Sequence, residues 1–171
     1  GGQTIALKRA GNDKMDAFHM NGAFGPANHI THGSRFGRIL FDPVVKYAKN
    51  TGEIYPVHAK NLDIEGDTAH LELREQTWHN GDPYTVESIA LRYDIQSMIN
   101  EHQDQETNMD RFIEDWEVES DYVLRLDLTQ QWNPRWFAKL MLDEYMYPFH
   151  PDPWGEWRDR LQDAEPGTDA F

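Results

Sequence analysis

The sequence predicts an α/β (α+β) fold: a small mixed, largely antiparallel sheet of two hairpins plus an N-terminal strand, covered by helices. Two observations carry this. Apolar residues alternate along two pairs of segments, Leu62 and Ile64 with Ala69, Leu71 and Leu73, and Trp116 and Val118 with Leu124, Leu126 and Leu128. Period-two alternation is the mark of a half-buried sheet. A longer stretch at 86–102 and two later ones have the composition of helices that would cover it.

In chain order, residues 4–8 (Thr-Ile-Ala-Leu-Lys) read as a first strand, followed by a loop rich in Gly, Asn and His to Gly33. Residues 34–48 are expected to form an amphipathic helix interrupted at Asp42-Pro43, because proline removes a backbone donor and clashes with the preceding turn. The first hairpin spans 60–65 and 68–74, turning at Gly66-Asp67. Asn80-Gly81-Asp82-Pro83 then makes a tight corner, and Thr85 is placed to cap a helix over 86–102. The second hairpin spans 112–119 and 122–128, turning at Ser120-Asp121. Helical segments follow near 134–142 and 153–162, the earlier one opened by Trp132-Asn133-Pro134 as Trp78 to Pro83 opens the central helix. Residues 1–163 thus read as one compact subdomain and 164–171 as a flexible tail.

The chain has 171 residues, 39% hydrophobic and 12% aromatic, enough for a real core. Thirty acidic residues against sixteen basic ones give a formal net charge of −14. Such a chain repels nucleic acid and anionic lipid, which excludes both as expected partners. Ten of the basic residues are Arg and six are Lys. Acidity with little lysine resembles the proteins of salt-loving organisms, in which molar salt, with a Debye length of about 3 Å, screens the self-repulsion. The composition leads to the expectation of a halophilic archaeal source and of a domain that loses stability on desalting. The absence of cysteine excludes disulfides and thiolate chemistry. No apolar run approaches the ~20 residues that span a bilayer, and Gly1-Gly2 is compatible with a cloning remnant that hides an upstream export signal.

The densest motif is Leu71-Glu-Leu-Arg74 followed by Trp78-His-Asn-Gly-Asp-Pro-Tyr-Thr-Val-Glu-Ser-Ile-Ala90. It resembles a signature of the family 5 extracellular solute-binding proteins, the dipeptide- and oligopeptide-binding receptors of ABC importers. There a strand ending in Leu-Arg precedes Trp-His-(Asp or Asn)-Gly-x-Pro-(hydrophobic)-Thr-(Ala or Val)-Glu-(Asp or Ser)-(Val or Ile). Asn80 and Ser88 stand where Asp is commoner, and Val57 to Asn61 depart from the family pattern. The resemblance runs from about residue 4 to about 150, and family members are several times longer. It implies part of a periplasmic-binding-protein type II-like fold whose remaining lobes are missing from this chain. It further implies no enzymatic activity, no cofactor, an extracellular location with anchoring through a missing N-terminal segment, and as partners a peptide or other small solute and an ABC transporter permease.

Asn28-His-Ile-Thr-His32 is the densest polar cluster, and by order along the chain it falls where the family faces its ligand; Asn28, His29, Thr31 and His32 are the expected ligand contacts. Capping of the next helix is the plainer alternative. His29 and His32 with His58 or His70 would be neutral imidazole ligands if they converged on a metal, the basis of a rival reading as a small metal-assisted enzyme. Trp78 reads as a core anchor, His79 as a corner residue, and Asp82 and Thr85 as turn and cap. The aromatic run Trp132, Trp136, Phe137, Tyr145, Tyr147, Phe149, Trp154 and Trp157 reads as packing or, in a third reading, as the surface of a free-standing interaction domain. No Gly-x-Ser-x-Gly elbow and no phosphate-cradling Gly-Lys-Ser/Thr loop is present.

Overall fold

The structure, a computed structural model, describes residues 42–103, 108–144 and 147–163. The residue 4–8 strand, the loop with Asn28, His29, Thr31 and His32, and the 164–171 tail lie outside these. Among the described residues no helix is long and apolar enough to cross a membrane.

The centre is a four-stranded antiparallel sheet. Strands β3 (Ala59–Glu65) and β4 (Thr68–Leu73) form the first expected hairpin, β7 (Ile113–Ser120) and β8 (Val123–Leu128) the second, in the order β3-β4-β8-β7. The first turn depends on Gly66 at φ 64°, a left-handed conformation that side-chain-bearing residues adopt at a cost. Alternation sends Ala69, Leu71, Leu73, Leu124, Leu126 and Leu128 into the core, each almost fully buried. Registers Leu62↔Leu71 and Leu71↔Leu124 form one apolar row across the strands, and Ile64↔Ala69, Ala69↔Leu126 and Leu126↔Trp116 form the next.

Two smaller ladders flank the sheet. One is a hairpin of β1 (Val45–Ala48) and β2 (Glu53–Pro56), closed by the Gly52 N–H donating to the Ala48 carbonyl at 2.7 Å. This corrects the helix expected over 34–48: its described end is a strand. Val44 and Val45 are β-branched and buried, and the Val44 carbonyl accepts from the N–H groups of Val57, His58 and Ala59 at 3.0–3.2 Å, tying this end to the start of β3. The other ladder, β5 (Gln76–Thr77) with β6 (Pro83–Tyr84), turns the expected corner into a miniature hairpin.

Helix α1 (Glu87–Gln103) has two buried stripes. Ile89, Ala90 and Tyr93 pack on the sheet core, whereas Leu91 and Ile95 join Phe149 and Leu161 in a second cluster under the last helix. A short helix α2 (Asn108–Phe112) leads into β7. The segment expected as one helix near 134–142 is α3 (Pro134–Phe137) running into a π-helical stretch, Ala138–Glu144, that buries Ala138, Met141 and Leu142. Its start follows the sequence pattern: the Asn133 side chain accepts from the Arg135 and Trp136 N–H groups, with Pro134 at the first helical position. Helix α4 (Pro151–Gln162) closes the chain order.

Candidate functional site

The signature residues converge where the end of β4, the corner and the start of α1 meet. The turn of the second hairpin holds this junction. The Tyr122 carbonyl accepts from Leu73 N–H at 2.8 Å, and the Asp121 carbonyl accepts from Val86 N–H at 2.9 Å. The same two-residue turn therefore fixes both the strand end and the helix start. At Thr85 it is the main-chain carbonyl that takes the Ser88 N–H, at 3.2 Å.

Within the corner, Trp78 N–H donates to the Asp82 carbonyl at 2.8 Å and Gly81 N–H to the Trp78 carbonyl at 2.9 Å. Gly81 sits at φ 93°, which is why glycine occupies it. The Trp78 ring, partly buried against the core, lies 5.1 Å from the Tyr84 ring and 5.1 Å from the His150 ring, and the His58 ring lies tilted against Tyr84 at 4.8 Å. Trp78 is the anchor that its setting beside the strand suggested; His79 is exposed.

His150 is the residue that sequence reasoning missed. Its Nδ1 accepts the Asp152 N–H at 3.2 Å, capping α4, so the ring proton belongs on Nε2. That Nε2–H points at Asp82 Oδ2, 3.1 Å away, and Asn80 Nδ2 donates to the same oxygen at 2.5 Å. Asp82 thus clasps α4 to the corner across 68 residues of sequence. The sequence signal was its place before Pro151, since a side-chain acceptor followed by proline marks a helix start.

A buried polar chain runs along α1. Arg92 Nη1 donates to Gln96 Oε1 at 3.1 Å, Gln96 Nε2 to Asn100 Oδ1 at 2.7 Å, and Asn100 Nδ2 to Asp110 Oδ2 at 2.7 Å. Burial pulls the Arg92 guanidinium down to about 9, so it keeps its charge at neutral pH, and its guanidinium lies 5.2 Å from the Phe149 ring centre.

The expected ligand residues Asn28, His29, Thr31 and His32 lie outside the described residues, so their placement in a site stays a proposal. Of the other metal candidates, His58 faces the Asp42 carbonyl and Tyr84, while His70 lies on the exposed side of β4, 3.6 Å from Glu119. Among the described residues no three His, Asp or Glu side chains come together as a metal site. In the aromatic run, Phe137, Tyr147 and Phe149 are buried and Trp132 and Trp154 half-buried, but Trp136 and Trp157 are 56% and 47% exposed.

No sequence-family model matches the chain, and no curated protein matches it. Solved structures do. The chain is similar to the ABC transporter-associated periplasmic binding protein DppA of Helicobacter pylori, solved with the peptide STSA, at 18% identity and a TM-score of 0.58 over 84% of this chain and 30% of that one. It is similar to the oligopeptide-binding protein AppA of Bacillus subtilis, solved with a nonapeptide, at 13% identity and 0.64 over 84% and 28%. It is also similar to OppA of Burkholderia pseudomallei, at 15% identity and 0.65 over 85% and 31%. The α+β fold of this chain matches part of the fold of these periplasmic binding proteins. The chain spans less than a third of the length of these three structures.

Proposed function

We propose that this chain is the N-terminal strand and small subdomain of a two-lobed, family 5 solute-binding protein, which captures a peptide or similar small solute outside the cell and delivers it to an ABC transporter permease. The observation that carries this reading is a coincidence of two independent signals. The Leu71 to Ala90 signature occupies, in order, a strand, a corner and a helix start, and the surrounding fold is shared with peptide receptors over most of the chain.

Under this reading the protein performs no chemistry. Binding comes from contacts in a cleft between lobes, and delivery from the opening and closing of those lobes. Asn28, His29, Thr31 and His32 contribute this subdomain's share of the cleft, and the remaining lobes of the same chain supply the rest. An anchor preceding residue 1 holds the receptor at the cell surface, and the acidic, lysine-poor composition suits it to a saline medium.

The test is ligand-induced thermal stabilisation in molar KCl with peptide pools. A ligand at 100 times its Kd stabilises the binding protein by about 2.7 kcal/mol. The full-length receptor is expected to rise in melting temperature with a peptide pool, and the 171-residue chain alone to stay put. A full-length protein indifferent to peptides, or a response carried equally by the short chain, would sink the reading.

A further inference from the structure

We propose that the corner contains an internal water site, bounded by His58 Nδ1, Gln76 Nε2, Trp78 Nε1 and Tyr84 Oη. All four atoms are buried from solvent, and none has a hydrogen-bond partner among the described residues. They belong to one neighbourhood. Gln76 is the register partner of Tyr84 in the β5–β6 ladder, so the two side chains share a face, and the His58 and Trp78 rings lie 4.8 and 5.1 Å from the Tyr84 ring.

Their hydrogen-bonding roles are fixed by chemistry. The Asp42 carbonyl, 3.2 Å from His58 Nε2, accepts and never donates, so that nitrogen carries the proton and His58 Nδ1 is an acceptor. Trp78 Nε1 and Gln76 Nε2 are donors only. Burial pushes the Tyr84 hydroxyl far up, so it stays protonated and can both donate and accept. Buried polar atoms are paired in the great majority of folded proteins, and four left unpaired would consume a sizeable share of a domain's stability.

The occupant follows from complementarity. A bare anion would satisfy the donors but leave the His58 lone pair unmet. Water both gives and takes, and a buried water characteristically makes two to four such bonds. Water linked in this way would couple β3, the corner and the β5–β6 ladder without a direct side-chain bond.

The experiment is a high-resolution crystal structure of the 171-residue chain, paired with the melting temperature of Tyr84→Phe, which removes only the hydroxyl. The expected result is ordered water within hydrogen-bond distance of at least two of the four atoms, and a melting temperature lowered by about 2–4 °C, the shift of one lost hydrogen bond in a domain of this size. A dry corner, direct protein partners on these atoms, or a Tyr84→Phe variant as stable as the parent or more so would each overturn the proposal.

Discussion

The two faces of the central sheet are built by alternate residues of the same strands, yet they rest on different physics. On the inner face Ala69, Leu71, Leu124 and Leu126 are fully buried and apolar. On the outer face, register places Asp63 opposite His70, His70 opposite Arg125, and Arg125 opposite Glu117 in one row across all four strands. Arg125 bonds Glu117 at 2.7 Å and Asp127 at 3.1 Å, Lys60 bonds Glu72 at 2.5 Å, and Glu119 lies near His70. The inner face is held by burial, which salt alters little. The outer face holds more acid than base and depends on screening. One sheet therefore carries an apolar layer, expected to be indifferent to salt, and a charged one, expected to respond to it.

The largest effect tests the inner layer. Leu124→Ala is expected to cost about 2–5 kcal/mol, and by the same amount in dilute and molar KCl, as measured by denaturant unfolding. A loss that shrank greatly in salt would break the division. Gln96→Leu probes the buried polar chain along α1. It strips a donor from Asn100 and an acceptor from Arg92 and should cost about 1–3 kcal/mol, again with little salt dependence; a neutral result would mean the chain is not held together through Gln96.

Asn133→Ala removes the side-chain cap of α3 and should cost about 1 kcal/mol at any salt concentration. Arg125→Gln sharpens the outer-face side of the comparison. In molar salt the change should be small, as for other surface pairs, and it should grow on desalting as Glu117 and Asp127 lose their cation. Equal costs at both salt concentrations would contradict the account. The smallest effect concerns Glu53. Its carboxyl is held below the ordinary value of 4.5 by hydrogen bonds from Tyr55 and then Thr51, with Arg135 adding attraction. A folded pKa below the unfolded one gives stability that is present above the ordinary carboxylate range and is lost as pH falls through the folded value. Glu53→Gln should therefore soften the acid limb of the unfolding curve slightly, and an acid limb identical to the parent's would remove this contribution.

Both hairpins were legible because their strands run long enough for alternation to repeat, and because Gly66-Asp67 marks a turn chemically. The β1–β2 hairpin was not. Four residues per strand give two side chains to a face, too few to separate a strand from a helical turn, and Val44-Val45 inside an apolar stretch fits either. The Asn133 cap was legible as Asn before Pro. The π-helical form of Ala138–Glu144 was not, since its residue types are ordinary helix formers and only packing selects the wider turn. At the corner, Trp78 and Gly81 could be assigned from local chemistry. The Asp82–His150 clasp could not, because it joins residues 68 positions apart and neither belongs to a recognisable pair. The exposed Trp136 and Trp157 defeat a composition-based reading for the same reason: spacing does not say which side of a helix faces the core.

The most direct test of the proposed role is the mass and location of the native protein, detected with an antibody against this domain. As part of a two-lobed receptor it should appear in the envelope or medium as a band several times larger than the 20.0 kDa of this chain. A cytoplasmic band near 20.0 kDa would contradict the account.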